Sequence, residues 1–348
     1  MDSRKGQAAS FIVDSHSFKV WELTPWLALA ATWFMLPTYL PFASQIIVMI
    51  LFALSYDIVV GYAGIVILGH TAFFGVGAYT AGLLAVGGWR EPITGLICAG
   101  FAAAAVGLVA GAVILRTRGL TLLMLGLALT LLFGELANRF AGVTGGHDGL
   151  QGVEISPIFG RFEFDMFGRT AFLYSAAILF LAWICVRTLV NSPFGRSLVG
   201  IRLNPVRMQA IGVPVWQRKL IAFTISAALA GVAGGLSAQV TQFVSLSVFG
   251  LDMAGAVLIV LVVGGRGRLY GAFVGATAYM VVQDVLAKDD PVFWLFWVGL
   301  ILIAVVLFAP GGLLGLIEKV AGLRRPKAAE LIEGQGQPPS GIEYRSQQ

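Results

Sequence analysis

Residues 61–88 read GYAGIVILGHTAFFGVGAYTAGLLAVGG, and this apolar run decides how the chain folds. It contains eight glycines in 28 residues. One straight helix of that length would rise about 42 Å, which exceeds the roughly 30 Å of a membrane core. Glycine lets helices approach closely, and backbone freed at a break is tolerated only inside protein or beside a water-filled cavity. The run therefore predicts a broken or strongly tilted helix inside a membrane protein.

The composition of the whole chain also indicates a membrane protein. Hydrophobic residues make up 58% of the 348 positions and charged residues only 12%, against about 25% charged residues in a soluble globular protein. The mean hydropathy is +0.86. A soluble fold of this size could not bury so much apolar surface, so lipid must surround most of the side chains. Soluble classes of protein are therefore excluded.

Apolar runs of membrane-spanning length recur along the chain. The predicted spans cover residues 26–40, 43–60, 64–88, 92–115, 119–139, 170–189, 219–240, 250–264, 269–287 and 292–310. The first and eighth fall short of the roughly 20 residues that cross a bilayer, so each is open to a second interpretation as a tilted or re-entrant segment. The predicted fold class is all-α: a polytopic transmembrane helical bundle of about ten spans, with a range of eight to ten.

The basic residues indicate which side of the membrane each connection occupies. If all ten runs cross and the chain begins inside, every Lys and Arg lies on the inner side except Arg90, Arg139, Arg161, Arg169 and Lys288. The positive-inside rule demands such a bias. Both termini and the loop at 190–218 are therefore predicted to be cytoplasmic, and the loop at 140–169 lies on the opposite side.

The same reasoning divides the chain into three parts. Residues 1–25 are a cytoplasmic N-terminal segment, and residues 26–316 form the transmembrane domain. Residues 317–348 carry Gly, Gln and Pro without periodicity, which is typical of a disordered cytoplasmic tail.

The inner loop contains a short helix with clear start and stop signals. Asn204 is a good N-cap, Pro205 suits the first helical position, and Gly212 followed by Pro214 ends the helix. We expect about two turns, with Arg207, Met208 and Ile211 toward one side. So short a helix is marginal in water and needs a packing partner. It is either a surface helix lying on the membrane interface or a docking site for a cytoplasmic partner.

Few polar groups lie at membrane depth. His70, in the glycine-rich run, makes either an interhelical hydrogen bond or part of a transport pathway, since polar groups at this depth face the bundle interior. Glu135 and Asn138, three residues apart, are the polar pair that we regard as the best candidate for a transport pathway. The acidic residues in apolar runs are Asp57, Glu135, Asp252 and Asp284, a thin supply for a proton relay or an ion-coupled transporter.

The remaining signals concern turns, packing and thiols. Thr144, Gly145, Gly146, Asp148 and Gly149 predict tight turns in the outer loop. Small residues four apart predict close helix packing in the pairs Gly107 and Gly111, Gly231 and Gly235, and Gly271 and Gly275. Cys98 and Cys185 lie in apolar runs, where we expect two buried thiols and no disulfide.

Several motifs are missing from the sequence. It has no GxxxxGK[ST], so the chain has no P-loop for the phosphates of ATP. It has neither HExxH nor GxSxG, and its three histidines do not cluster, so an intramembrane hydrolase is a weak hypothesis. We predict no enzyme activity and no metal site in this chain.

Five stretches together resemble one family. They are residues 61–79 (GYAGIVILGHTAFFGVGAY), 144–150 (TGGHDGL), 192–212 (SPFGRSLVGIRLNPVRMQAIG), 264–267 (GGRG) and 308–313 (FAPGGL). Their order and sequence are similar to those of the LivM-type permease subunits of bacterial branched-chain amino acid ABC importers. The likeness extends over residues 40–316, which makes residues 26–316 the permease domain.

The resemblance implies partners and a location. It implies a second, homologous permease, two cytoplasmic ATP-binding subunits and a periplasmic substrate-binding protein, all at the bacterial inner membrane. This chain then needs no cofactor of its own, because the partner ATPases bind ATP and Mg. The substrate is a branched-chain or related amino acid. The alternatives are a self-sufficient secondary transporter or channel for a small polar solute, and a structural membrane subunit.

The resemblance also implies roles for particular residues. Residues 190–218, which we call the docking segment, would receive an ATPase through Arg202, Asn204, Arg207, Met208, Ala210, Ile211 and Gly212. The translocation pathway would involve Gly64, Gly69, His70, Gly75, Gly77, Glu135 and Asn138. The periplasmic loop carries Thr144, Gly145, Gly146, Asp148 and Gly149.

Overall fold

The computed structural model describes residues 24–35, 37–157, 168–289, 291, 293–308 and 312–315. These residues form helices, turns and one isolated β-bridge between Leu150 and Val244. The helices are α1 (Thr24–Met35), α2 (Leu40–Asp57), α3 (His70–Val86), α4 (Pro92–Ile114), α5 (Leu120–Arg139), α6 (Ala141–Thr144), α7 (Arg169–Asn191), α8 (Pro193–Leu203), α9 (Pro205–Ala210), α10 (Val215–Thr241), α11 (Leu251–Gly264), α12 (Leu269–Asp289) and α13 (Trp294–Phe308). The predicted all-α class is confirmed.

Six helical segments of the described chain are long and apolar enough to cross a membrane. They are Pro37–Tyr62, Pro92–Ile114, Leu120–Arg139, Arg169–Asn191, Val215–Thr241 and Leu269–Asp289. The ten predicted spans also include α1, α3, α11 and α13, which have 12, 17, 14 and 15 residues. Most of the predicted terminal segments 1–25 and 317–348 lies outside the described residues.

The glycine-rich run is broken, as its length predicts. Helix α2 ends in a π-helical turn at Ile58–Tyr62, and the chain is non-helical until α3 begins at His70. Gly64 has φ +68°, a left-handed conformation that costs other residues free energy. The non-helical residues shorten the helix that follows. Helix α3 therefore has only 17 residues, and it begins at the buried His70, inside the bundle.

Helix α2 is the centre of the bundle. In its segment, 89% of the most apolar window is buried, whereas the corresponding figure for α5 is 17%. Beside α2, helix α10 packs backbone to backbone against both α3 and α4. A methyl group added to Gly77 would overlap the carbonyl oxygen of Gly231, and one added to Gly234 would overlap that of Phe74. Close packing of this kind replaces the hydrophobic effect as the force that holds helices together in lipid.

The predicted small-residue pairs also lie at helix contacts. A methyl group on Gly235 would come within 2.9 Å of Ala99, and one on Gly271 within 2.5 Å of the carbonyl oxygen of Gly265. The two cysteines differ from the prediction. Cys98 on α4 and Cys185 on α7 are free, as expected, but exposed. An apolar run has an outer face as well as a buried one, and both thiols lie on the outer face.

Candidate functional site

The docking segment forms two capped helices. The Ser192 hydroxyl accepts a hydrogen bond from the backbone N–H of Gly195 at 3.3 Å and caps α8. The Asn204 side chain accepts from the N–H of Arg207 at 2.9 Å and caps α9, with Pro205 in its first turn. Gly212 has φ +86°. The predicted start and stop of this helix are therefore confirmed, because local capping chemistry sets both ends.

Helix α9 presents apolar side chains to the outside. None of its residues is buried, and Val206 and Ile211 are 72% and 68% exposed. Met208 differs from the expectation that it shares a side with Arg207 and Ile211. A methyl group on Gly200 would lie 2.8 Å from the Met208 sulfur, so Met208 packs back onto α8. The contact with α8 supplies the packing partner that so short a helix needs.

A polar cluster connects α8 to the break after α2. The guanidinium of Arg202, at the end of α8, donates a hydrogen bond to the backbone carbonyl of Gly61. Asp57 is buried at the end of α2, and its carboxylate accepts a hydrogen bond from the N–H of Gly267 at 2.8 Å. We call Asp57, Gly61, Arg202 and Gly267 the joint. It holds together three parts of the chain that are far apart in sequence.

Glycine fits at the joint because a side chain at these positions would crowd the side chain of Arg202. Gly267 has φ +72°, and a methyl group there would lie 3.1 Å from a guanidinium nitrogen of Arg202. A methyl group on Gly64 would lie 2.6 Å from Cγ of the same arginine. Gly312 is next to this cluster, since its methyl group would lie 2.6 Å from the backbone nitrogen of Gly265. Four of the five stretches that carry the family resemblance therefore meet at one end of the bundle.

His70 makes the interhelical hydrogen bonds that were one of its two interpretations. Its Nε2 lies 3.1 Å from the Ser55 hydroxyl and 3.3 Å from the Ser226 hydroxyl. Ser55 donates its proton to Phe52, and Ser226 donates to the carbonyl of Ser55 at 2.5 Å. With both hydroxyl protons used in this way, the matching tautomer carries its hydrogen on Nε2 and donates it to the two hydroxyl oxygens. His70, at the start of α3, thereby connects α2, α3 and α10 directly after the break in the glycine-rich run.

The other predicted pathway residues are not brought together. Gly69 packs against the backbone of Gly126, Gly75 against the Phe249 ring, and Gly77 against Gly231. Glu135 is exposed and Asn138 half-buried on the lightly packed helix α5. The described structure therefore assigns the three glycines to close contacts and leaves Glu135 facing outward.

The predicted turn in the loop at 140–169 is compact. Thr144 donates a hydrogen bond to the carbonyl of Ala137 at 2.5 Å, and Gly145, Gly146 and Gly149 all have positive φ. The turn leads to Leu150, whose bridge with Val244 fastens it to the end of α10. Asp148 lies in the 3-10 turn Gly146–Asp148. This end of the bundle is opposite to the joint, because α2, α7 and α10 each run from one to the other.

The comparisons with known proteins agree with these features. The family model for the permease component of branched-chain amino acid transport systems matches residues 38–309. The chain is 30% identical over 315 residues to the high-affinity branched-chain amino acid transport system permease protein LivM of Salmonella typhimurium, covering 82% of this chain and 72% of the relative. LivM of Escherichia coli K12 is 31% identical over 301 residues, 78% of this chain and 69% of the relative.

A more distant relative covers about half of the chain. The autoinducer 2 import system permease protein LsrC of Escherichia coli is 31% identical over 179 residues, 48% of this chain and 49% of the relative. No solved structure matches the chain.

Fold and sequence together define a helical, multi-pass membrane protein of the transporter class, a permease subunit rather than an enzyme. More narrowly, the chain belongs to the family of permease components of branched-chain amino acid transport systems.

Proposed function

We propose that this chain is one of two related permeases in an ABC importer of the bacterial inner membrane. It carries branched-chain or similar amino acids, which a periplasmic binding protein delivers. Two cytoplasmic ATPases drive transport, and ATP and Mg bind to them and not to this chain. The relatives named LivM, which transport branched-chain amino acids, support the substrate class.

The observation that carries the proposal is the link between the docking segment and the broken helix. Val206 and Ile211 expose apolar surface on a short helix that is capped by Asn204 and packed onto α8 by Met208. Such a surface in a polar loop favours a protein partner. Directly behind it, Arg202 contacts the backbone of Gly61, where α2 ends. A displacement of α8 and α9 therefore reaches the end of α2 through Arg202, alongside the apolar contact that Leu198 makes with the core.

The mechanism follows from this connection. Closure of the ATPase pair would displace α8 and α9 as one body, and Arg202 would pass the displacement to the π-helical turn. The end of α2 and the loop before α12 move together, because Asp57 binds Gly267. Alternation between an inward and an outward opening then requires only that the ATP-bound partners favour one of the two states.

The position of the second permease is supported by α5. This helix is apolar but lightly packed, and it carries the exposed Glu135. A carboxylate at membrane depth is costly in lipid and usually faces a water-filled cavity or a protein partner. We therefore propose that the second permease packs across α5 and that Glu135 and Asn138 face the pathway between the two chains. The wall of this pathway on the side of this chain is supported by the glycine-rich run, through Gly64, Gly69, His70, Gly75 and Gly77.

The topology belongs to the same proposal. Helices α1, α3, α11 and α13 complete ten spans, with α3 entering the membrane from the break. The docking segment, the loop at 265–268 and both termini are then cytoplasmic, and the turn at 144–149 is periplasmic. The distribution of Lys and Arg supports this orientation.

The test is purification of the tagged chain from its native membrane in mild detergent, followed by mass spectrometry and an ATPase assay. We expect a second permease and two P-loop ATPases to co-purify. Val206→Asp combined with Ile211→Asp should lose the ATPases but keep the second permease, because α9 and α5 are separate surfaces. Gly142→Ala, at the opposite end, is the control. A wild-type chain that purifies alone, and transports alone along a gradient, would contradict the proposal.

A further inference from the structure

A cavity of about 690 Å³ opens between α2, α10, α11, α12 and α13, and Phe74 of α3 also lines it. It lies at the end of the bundle opposite to the joint, next to the last turn of α10 and the first turn of α11. Its volume is within the range of small-molecule sites. None of the residues that the sequence assigned to the pathway lines it.

The lining has two chemical parts. Its polar residues are Gln45, Ser237, Thr241, Asp252, Tyr279 and Gln283. Asp252 is the one formally charged side chain among the residues found to line it, and no Lys or Arg is among them. The apolar part includes Met49, Met253 and Met280, which are flexible and adapt to aliphatic groups of different shape. A ligand with a positive head and an aliphatic body matches both parts.

Asp252 differs from Asp57 and Asp284, two other acidic residues in the apolar runs. Asp57 is buried and accepts a hydrogen bond from Gly267. Asp284 forms an ion pair with Lys288 at 2.5 Å. Asp252 instead opens into the cavity, close enough to Tyr279 to interact with it electrostatically. Gln45 is also exposed here, although it lies on α2, the most buried segment of the bundle. Two polar side chains on different helices thus face the same space.

We propose that this cavity is a binding site for an amino acid with an aliphatic side chain. The Asp252 carboxylate receives the α-ammonium group, amide and hydroxyl donors such as Gln283 and Ser237 receive the carboxylate, and the methionines contact the side chain. The inference rests on the proposed function and adds to it a site within this one subunit.

The test uses two glycines at which a side chain can be introduced without a clash. Neither Gly255, in the cavity wall, nor Gly142, on α6, has an atom within 4 Å of a methyl group built on it. Cys98 and Cys185 are first replaced by alanine. Gly255→Cys and Gly142→Cys are then made separately, and the complete importer in membrane vesicles is treated with a small methanethiosulfonate reagent, with and without leucine.

We expect leucine at about ten times its half-protecting concentration to slow modification of Gly255→Cys about tenfold, and that of Gly142→Cys not at all. 4-Methylpentanoate, which lacks the ammonium group, should not protect. Asp252→Asn is close in shape to the native residue and should raise the half-protecting concentration of leucine at least about tenfold. Asp284→Asn removes an equal charge outside the cavity and should leave it unchanged.

Failure of the site and failure of the function give different results. If the vesicles take up leucine with ATP but leucine does not protect Gly255→Cys, the cavity is not a leucine site. Equal protection with Asp252 and with Asn at that position would overturn the role of the carboxylate. If the vesicles show no ATP-driven uptake, the proposed function fails, and protection of Gly255→Cys still decides whether the cavity binds leucine.

Discussion

The centre of the bundle and the docking segment both depend on glycine, but for different physical reasons. Gly77 has ordinary helical geometry, and it is glycine because Gly231 of α10 occupies the space that a side chain would need. Gly212 has open space around it, and it is glycine because its backbone has φ +86°. A substitution in the first region therefore acts through packing, and one in the second acts through the backbone. The joint combines both requirements at Gly267.

In the proposed mechanism, this difference separates the part of the molecule that stays fixed from the part that transmits movement. Helix α10 contacts both α3 and α4 through backbone atoms, so a side chain added at these contacts would force the helices apart. The docking segment contacts the rest of the chain through Leu198, which packs in the buried apolar core, and through Arg202, which donates a hydrogen bond to Gly61. The break in the third span lies between the two regions. We therefore expect core substitutions to remove the protein and docking substitutions to remove only its coupling.

The largest effect is expected for Gly77→Ala. Its methyl group would overlap Gly231, so α3 and α10 must separate, at a cost of about 3 kcal/mol. The amount of protein in the membrane and its unfolding temperature in detergent should both fall. Gly142→Ala is the matched control, because it places the same methyl group in open space. Equal stability of the two variants would show that the glycine contact between α3 and α10 is not required.

A smaller effect, confined to transport, is expected for Gly212→Val. A β-branched residue in the left-handed region costs about 1–2 kcal/mol and shifts the end of α9. ATP-driven leucine uptake in vesicles should fall about fivefold, while the amount of protein in the membrane is unchanged. Gly212→Asn should retain more uptake, because asparagine adopts this conformation more easily. Valine and asparagine variants with the same uptake would contradict a backbone role for Gly212.

The smallest effect is expected for Asn204→Ala. Loss of the cap costs about 1 kcal/mol, and α9 should therefore open more often. Hydrogen exchange of the backbone amides in residues 205–210 should accelerate about fivefold, while exchange in α8 stays the same. Ser192→Ala, which removes the cap of α8, should show the opposite pattern. If neither variant changes exchange in its own helix, the caps do not stabilise the docking segment.

Features governed by neighbouring residues could be predicted from the sequence. The broken third span follows from its own length and glycines, and the ends of α9 follow from Asn204, Pro205 and Gly212. The joint could not be found in this way. Asp57 and Gly267 are separated by 210 residues, and no local pattern pairs an aspartate with a distant backbone N–H. The cavity likewise requires several helices to be placed before Asp252 and Gln45 face the same space.

Two further differences have the same origin. Met208 was expected on the same side as Arg207, but its side chain packs against Gly200 on α8, where the missing side chain leaves room for it. Cys98 and Cys185 were expected to be buried because they lie in apolar runs, yet each lies on the outer face of its helix. In a membrane protein, hydrophobicity does not distinguish the face toward lipid from the face toward protein.

The transport ratio of an Arg202→Ala variant tests the central claim most directly. The importer is reconstituted in proteoliposomes, and leucine uptake is measured per ATP hydrolysed. Arg196→Ala is the control, because Arg196 lies on the same helix but bonds only to the nearby carbonyl of Asn191. If Arg202 carries the movement of the docking segment to Gly61, its loss should leave the ATPases bound and active and lower the ratio at least about fivefold. An Arg202→Ala importer with the wild-type ratio would contradict the account.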